Sequence, residues 1–338
     1  MDKHTLIDAL RGLKPQEVQW KFALYNTKKS RDGLELEWHI CKMKGIATWI
    51  EALKDALLEK PIAERTVEPY SPFLSDKETI CVLERGDSAI RSPLVDTLLN
   101  IKNGLESAPE TFVSEDMPRM AGYAFYGEYF ENNNDADESE GDENNEGDND
   151  DNSGDKSVAK PKQVLFMRTG NPFIPTQKAR LCISASGEAV TCEKPLLKFT
   201  AAADFVLIDD FCYFFSSGIE KHFDMENRHI ALAVKCLETI AENEIISNFD
   251  KLEAVATSKK NAKKFIDFDS EILEHIAKLE MLERAEFLAT YGVTIDRQGL
   301  MDTSDSEQCE LIIDLLCNRS AIDPLGRLVT GSNITPRE

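Results

Sequence analysis

Apolar and polar positions change period along this chain. Val18, Trp20, Phe22 and Leu24 alternate with Gln19, Lys21 and Ala23, and Leu34, Leu36, Trp38 and Ile40 alternate with Glu35, Glu37 and His39. A period of two belongs to a strand with one buried face, so these segments predict a half-buried pair joined by a loop over residues 26–33. Residues 46–58 place Ile46, Trp49, Ile50, Leu53 and Leu57 at helical spacing, and Pro61 stops that helix. Helices are also expected over residues 6–13 and from Pro93 to Leu105, with a short strand over residues 79–84 between the last two. Residues 123–130 and 163–168 read as strands, and residues 179–184 with 188–192 as a hairpin.

The most apolar stretch is ADFVLIDDFCYFFSSGIEKHFDM, residues 203–225. Phe205 to Ile208 and Phe211 to Phe215 are nearly continuous apolar runs, which predicts strands covered on both faces. Asp209 and Asp210 separate them. Two apolar runs split by a polar pair read as a tight hairpin; Asp-Asp suits a primed two-residue turn less well than Asn-Gly, which leaves a longer or bulged turn as the alternative. Beyond this hairpin the period becomes helical. Helices are predicted over residues 228–242, 250–267, 270–291 and 305–317, with Gly292 ending the third.

Composition changes this picture at one place. The chain of 338 residues has a formal net charge of −22, but residues 131–155 hold twelve Asp/Glu and no Lys/Arg, so removing those twelve carboxylates leaves −10. Such a segment buries too little apolar surface to offset its ordering entropy and predicts a disordered linker. Loop closure costs little per added residue, so the strands on either side can still be neighbours. The expected class is α+β. An N-terminal α+β lobe spans residues 1–130, the acidic linker 131–160, and a β-then-helical unit 161–338, with a central, mainly antiparallel sheet and a C-terminal helical lobe. There is no apolar run long enough to span a bilayer and no secretory h-region, so a cytoplasmic protein is expected. The eight cysteines include no C-x-x-C pair, which favours reduced, buried thiols over structural zinc.

Signals for catalysis are sparse. G-x-S-x-G, Walker and G-x-G-x-x-G patterns are missing, and no lysine has Asp or Glu two residues before it, a common metal-nuclease arrangement. No catalytic residue, metal ligand or cofactor is assigned. Glu220, His222, Asp224, Glu226 and His229 could supply a divalent metal with two imidazoles and carboxylates. Their other reading is solvated and capping roles, with Asp224 as the N-cap of the next helix. The second feature is basic: Lys259, Lys260, Lys263 and Lys264 in TSKKNAKKF. On one continuous helix, Lys260, Lys263 and Lys264 share an arc opposite Val255, Ala262 and Phe265. Lysines on one face can neutralise successive phosphates without reading bases, although a solvated face has the same appearance. Arg319 and Arg327 extend that patch if the fold brings them close.

The order DFVLIDDFCYFFSSGIEKHFDM, a helix, then ISNFDKLEAVATSKKNAKKFIDF resembles the Kiwa protein KwaB-like family of prokaryotic anti-phage defence proteins. The resemblance runs from about Phe166 to the C-terminus and more loosely over the N-terminal lobe. It implies a cytoplasmic component that binds DNA, forms a homo-oligomer and acts with a membrane-embedded partner, and it carries over no catalytic residue. A metal-dependent nuclease, or a scaffold recruiting a basic partner through the acidic segment, are the rival readings. Deleting residues 132–154 distinguishes the scaffold: we expect unchanged thermal stability and unchanged protection in a phage plaque assay, whereas loss of protection with the fold intact would support it.

Overall fold

The computed structural model describes residues 3–30, 33–72, 77–85, 101–110, 120–129, 162–174, 180–183, 189–192, 196–322 and 328–330. Strands β1 (Gln19–Ser30), β2 (Gly33–Cys41), β3 (Thr66–Pro69), β4 (Thr79–Glu84), β5 (Gly122–Tyr129), β6 (Lys162–Thr169), β11 (Phe205–Ile208) and β12 (Phe211–Phe214) form one sheet. Their order is β2-β1-β5-β6-β11-β12-β4-β3. All pairs are antiparallel except β3 with β4. The short strands β7 (Phe173–Ile174) and β10 (Leu196–Leu197) pair with each other, as do β8 (Arg180–Ile183) with β9 (Ala189–Cys192) and β13 (Ser320–Ile322) with β14 (Leu328–Thr330).

Each face of the large sheet has its own core. One side collects Phe22, Leu24, Val82, Phe125, Phe166, Val206, Ile208 and Tyr213. It is covered by α1 (Lys3–Gly12), α2 (Ile46–Glu59) and α3 (Pro61–Glu64), through Leu6, Leu10, Ile50, Leu53, Leu57 and Ile62. The other side collects Ala23, Tyr25, Leu83, Ala124, Leu165, Met167, Phe205, Leu207, Cys212 and Phe214. There the cover is α4 (Ile101–Glu106), α5 (Met225–Glu242), α6 (Phe249–Ala256), α7 (Lys259–Ala262), α8 (Ser270–Lys278), α9 (Met281–Thr290) and α10 (Ser306–Leu316). The α+β class is as expected. Adjacent residues of a strand point to opposite faces, so covering both sides accounts for the nearly continuous apolar runs.

The two lobes anticipated at 1–130 and 161–338 share this one sheet. β5 pairs with β6 from Gly122↔Thr169 to Tyr129↔Lys162, across the acidic segment. β4 reaches past the same segment to pair with β12. β1 also departs from the half-buried expectation. Phe22, Ala23, Leu24 and Tyr25 are all buried, and β1 runs on to Ser30, which pairs with Gly33. Strand pairing therefore takes in residues 26–30 and Gly33, where a loop over 26–33 was expected.

The hairpin β11–β12 closes with a two-residue turn, since Ile208 pairs with Phe211. Asp209 adopts φ 52°, a conformation Asp tolerates better than most residues. The tight hairpin is as expected and needs no bulge, because each Asp ties the turn to a flanking strand. The Asp209 carboxylate accepts the Gln163 N–H at 3.2 Å, and the Asp209 N–H donates to the Gln163 carbonyl at 2.8 Å. On the other side, Arg85 Nη1 donates to the Asp210 carboxylate at 3.2 Å and the Arg85 N–H to the Asp210 carbonyl at 3.0 Å.

Two helices predicted as continuous are broken. Residues 250–267 divide into α6, α7 and a 3₁₀ turn over Lys263–Asp267. Ser258 ends the first piece and caps the second, accepting the Asn261 N–H at 3.4 Å, while Asn261 Nδ2 donates back to the Val255 carbonyl at 3.1 Å. Residues 270–291 divide into α8 and α9 at the extended residues Leu279 and Glu280. Glu280 and Glu283 form a capping box for α9. The guanidinium of Arg284 donates to the carbonyls of Ile276, Ala277, Leu279 and Gly299, between 3.1 and 3.2 Å, and satisfies acceptors that the end of α8 leaves open. The helix expected from Pro93 is described only over Ile101–Glu106; its beginning lies outside the described residues.

These magnitudes say which interaction holds the hairpin. Phe205 is fully buried, and its truncation to Ala should cost about 3–5 kcal/mol. The Arg85–Asp210 pair is more than half exposed on both sides, so Asp210→Ala should cost less than about 1 kcal/mol. Urea unfolding of the two variants checks the order; equal losses would mean that the turn, not the core, holds the hairpin.

Candidate functional site

The lysine segment follows α6 and lies against α5 and α10. Its local geometry decides what its charges can reach. α7 is a single turn started by Ser258, and the chain then tightens into the 3₁₀ turn. The tighter winding redistributes the side chains, so Lys260, Lys263 and Lys264 do not share one exposed arc. Lys264 is buried, with Nζ 2.6 Å from Asp314 on α10. Arg319 is buried as well, and its Nη2 donates to Asp267 at 3.4 Å. The fold therefore brings Arg319 to the lysine segment, as the patch required, but turns it inward. These two cations hold α10 and the short segment after it against the 3₁₀ turn. Arg327 lies outside the described residues.

Lys259, Lys260 and Lys263 remain on the rim. Lys259 Nζ lies 2.5 Å from Glu226 at the start of α5, with its side chain 76% exposed. Lys260 Nζ donates to both carboxylate oxygens of Glu310 at 2.9 Å, with its side chain 70% exposed. That hydrogen bond holds the Glu310 carboxyl below its ordinary pKa. Exposed ion pairs of this kind are worth at most about 1 kcal/mol. A phosphate that displaces one of these carboxylates therefore meets little resistance. Lys263 is partly buried, and its charge bears on His229 beneath it.

The acidic and imidazole cluster is dispersed. His222 meets Tyr25 edge-on, with ring centroids 5.7 Å apart, whereas His229 stacks on Tyr70 at 6.1 Å. Asp224 stands at the N-cap position of α5 with φ 55°, yet its carboxylate makes no cap. It accepts instead the Leu34 N–H at 2.9 Å and both contacts from Asn227 Nδ2, and so ties the start of α5 to β2. Glu226 is committed to Lys259. Among the described residues no group of three His, Cys, Asp or Glu is placed to hold a metal ion.

His229 is the most perturbed imidazole. It is 1% exposed, and neither ring nitrogen has a hydrogen-bond partner among the described residues. Burial, with a smaller contribution from Lys263, pushes its pKa down from 6.5 to about 4. The unfolded chain takes up this proton first. Stability present above about pH 6.5 is therefore lost as pH falls towards about 4, by up to about 3 kcal/mol. His229→Leu should flatten that acid-side loss in melting temperature between pH 7 and 4.5. His222, also lowered by burial, leaves a residual slope. An unchanged profile in the variant would refute the assignment.

Sequence spacing could not have shown one further grouping. Arg65, Lys77 and Arg168, far apart in the chain, converge on a cleft beside Asp204. No periodicity or motif links them, because they meet only where the end of α3 packs against the ends of the β11–β12 hairpin and of β6.

Among the described residues no helix is long and apolar enough to cross a membrane. No curated protein and no solved structure matches the chain. A family model described as Kiwa protein KwaB-like matches residues 161–323. The matched span contains β6, the hairpin β11–β12, the helices α5 to α10 and the lysine segment. The strands that flank it in the sheet, β5 and β4, come from residues before it. Residues 161–323 are thus similar to the Kiwa protein KwaB-like family, the family that the order of hairpin, helix and lysine segment resembles.

Proposed function

We propose that this protein is a DNA-binding component of a Kiwa-like anti-phage defence system. It acts without catalysis, as a homo-oligomer, beside a membrane-embedded partner that makes the membrane contact. The defence role follows from the KwaB-like family. The observation that carries DNA contact is the rim of Lys259 and Lys260, whose side chains are 76% and 70% exposed and paired only with surface carboxylates, with Lys263 beside them. Three lysines on one rim neutralise backbone phosphates without selecting a sequence.

The chain's net negative charge opposes approach of DNA at long range. At physiological ionic strength, however, fields between exposed charges are screened beyond about 8 Å, so the local rim governs contact. An oligomer repeats the rim, and binding at several rims of one assembly multiplies the affinity of each.

Duplex DNA binding measured against salt tests this reading. Three phosphate contacts per protomer predict a slope of log K against log salt of about −2.7 for each protomer engaged. Replacing Lys259, Lys260 and Lys263 by Gln should remove most of that slope and reduce protection in a plaque assay, with the melting temperature retained. Undetectable binding at low salt would overturn DNA binding. An unchanged slope in the triple variant would overturn this rim as its site.

A further inference from the structure

A cleft of about 290 Å³ opens where the helical cover α2–α3 meets the end of β6 and the hairpin. It is lined by Arg65, Lys77, Arg168 and Asp204, with an apolar wall that includes Leu57, Ala203 and Phe215. Among the described lining residues, three cations stand near one carboxylate. That carboxylate is already engaged: Oδ1 accepts Arg168 Nη1 at 2.6 Å, and Oδ2 accepts the Thr169 N–H at 2.7 Å and the Thr169 hydroxyl at 2.6 Å. Asp204 therefore fixes Arg168 in place and neutralises one charge, and the charge of Arg65 is left without a carboxylate among the described residues.

The arginines are held with donors to spare. Arg65 Nη1 donates to the Phe215 carbonyl at 2.9 Å, which pins the guanidinium to the end of β12. Arg65 has no carboxylate partner among the described residues. A guanidinium carries five N–H donors in a rigid fork suited to phosphate. One each is committed for Arg65 and Arg168, and the Arg168 side chain is still 35% exposed. Lys77 lines the same cleft with an exposed side chain. The volume lies at the lower bound of small-molecule sites, too small for a folded partner.

We propose that this cleft binds a small phosphomonoester. Its dianionic head lies between Arg65 and Arg168, Lys77 approaches from solvent, and its organic part lies on the apolar wall. The cleft joins segments on both sides of the acidic stretch, since Arg65 and Lys77 precede it and Arg168 follows it. Occupation would therefore clamp the α3–β3 corner to β6.

Calorimetric titration of the full chain with ribose 5-phosphate and a nucleoside monophosphate tests this site. Saturable binding of at least one is expected, at least tenfold tighter than ribose or the free nucleoside. Arg65→Gln with Lys77→Gln should weaken it about tenfold or more. If the double variant fails to melt cooperatively, Lys77→Gln alone, at an exposed side chain, should still weaken binding measurably. Absence of binding, equal binding of the unphosphorylated probes, or unchanged affinity in the folded variants would overturn the proposal. The Lys259, Lys260 and Lys263 variant should bind these probes normally, which separates this site from the DNA rim.

Discussion

Burial of the β11–β12 hairpin on both faces is the constraint on which the structure depends. Its residues alternate between two cores, Phe205, Leu207, Cys212 and Phe214 on one side and Val206, Ile208 and Tyr213 on the other. A strand apolar on both faces is stable only if both are covered and both edges are paired. The cover is α1–α3 on one face and chiefly the later helices on the other, and the edges are β6 and β4. Each of these requirements draws in a different part of the chain. The matched region therefore does not complete the sheet by itself: its three adjacent central strands are flanked by β5 and β4 from residues before it.

Charge in this protein is used first to assemble the fold. Asp209 and Asp210 tie the hairpin turn to both neighbours, Asp224 ties α5 to β2, and Lys264 with Asp314 ties α10 to the 3₁₀ turn. Breaking a buried pair such as Lys264–Asp314 on one side leaves a charge without its partner, which is costly. The exposed pairs of Lys259 and Lys260 have no such hold. Burial thus divides one basic run into an internal strut and an external rim, and only the rim can meet a ligand.

The same division applies to the arginines. Arg284 is consumed by internal acceptors and Arg319 is buried against Asp267, whereas Arg65 and Arg168 are fixed by one acceptor each and still face a cleft. A cation held in position with unused donors is preorganised for an anion. A cation whose donors are all engaged contributes only to the fold.

Local pattern alone determined much of the fold. The strand 79–84, the strands on either side of the acidic segment, the hairpin at residues 205–214 and the last helix were all legible, because side-chain periodicity and turn residues are properties of neighbouring positions. The α+β class and the family resemblance followed from that order. The halves of the sheet were not legible as one, since strand order is set by long-range pairing. Nor were the breaks at Ser258 and Glu280, where capping bonds outweighed a continuous helical period. The sites were less legible still. A run of four lysines reads alike whether its ammonium groups face Asp314 or solvent, and Arg65 and Arg168 share no pattern. Which charges are buried, and which converge, is decided only when distant strands pack, because burial and convergence belong to the tertiary structure and not to any local stretch of chain.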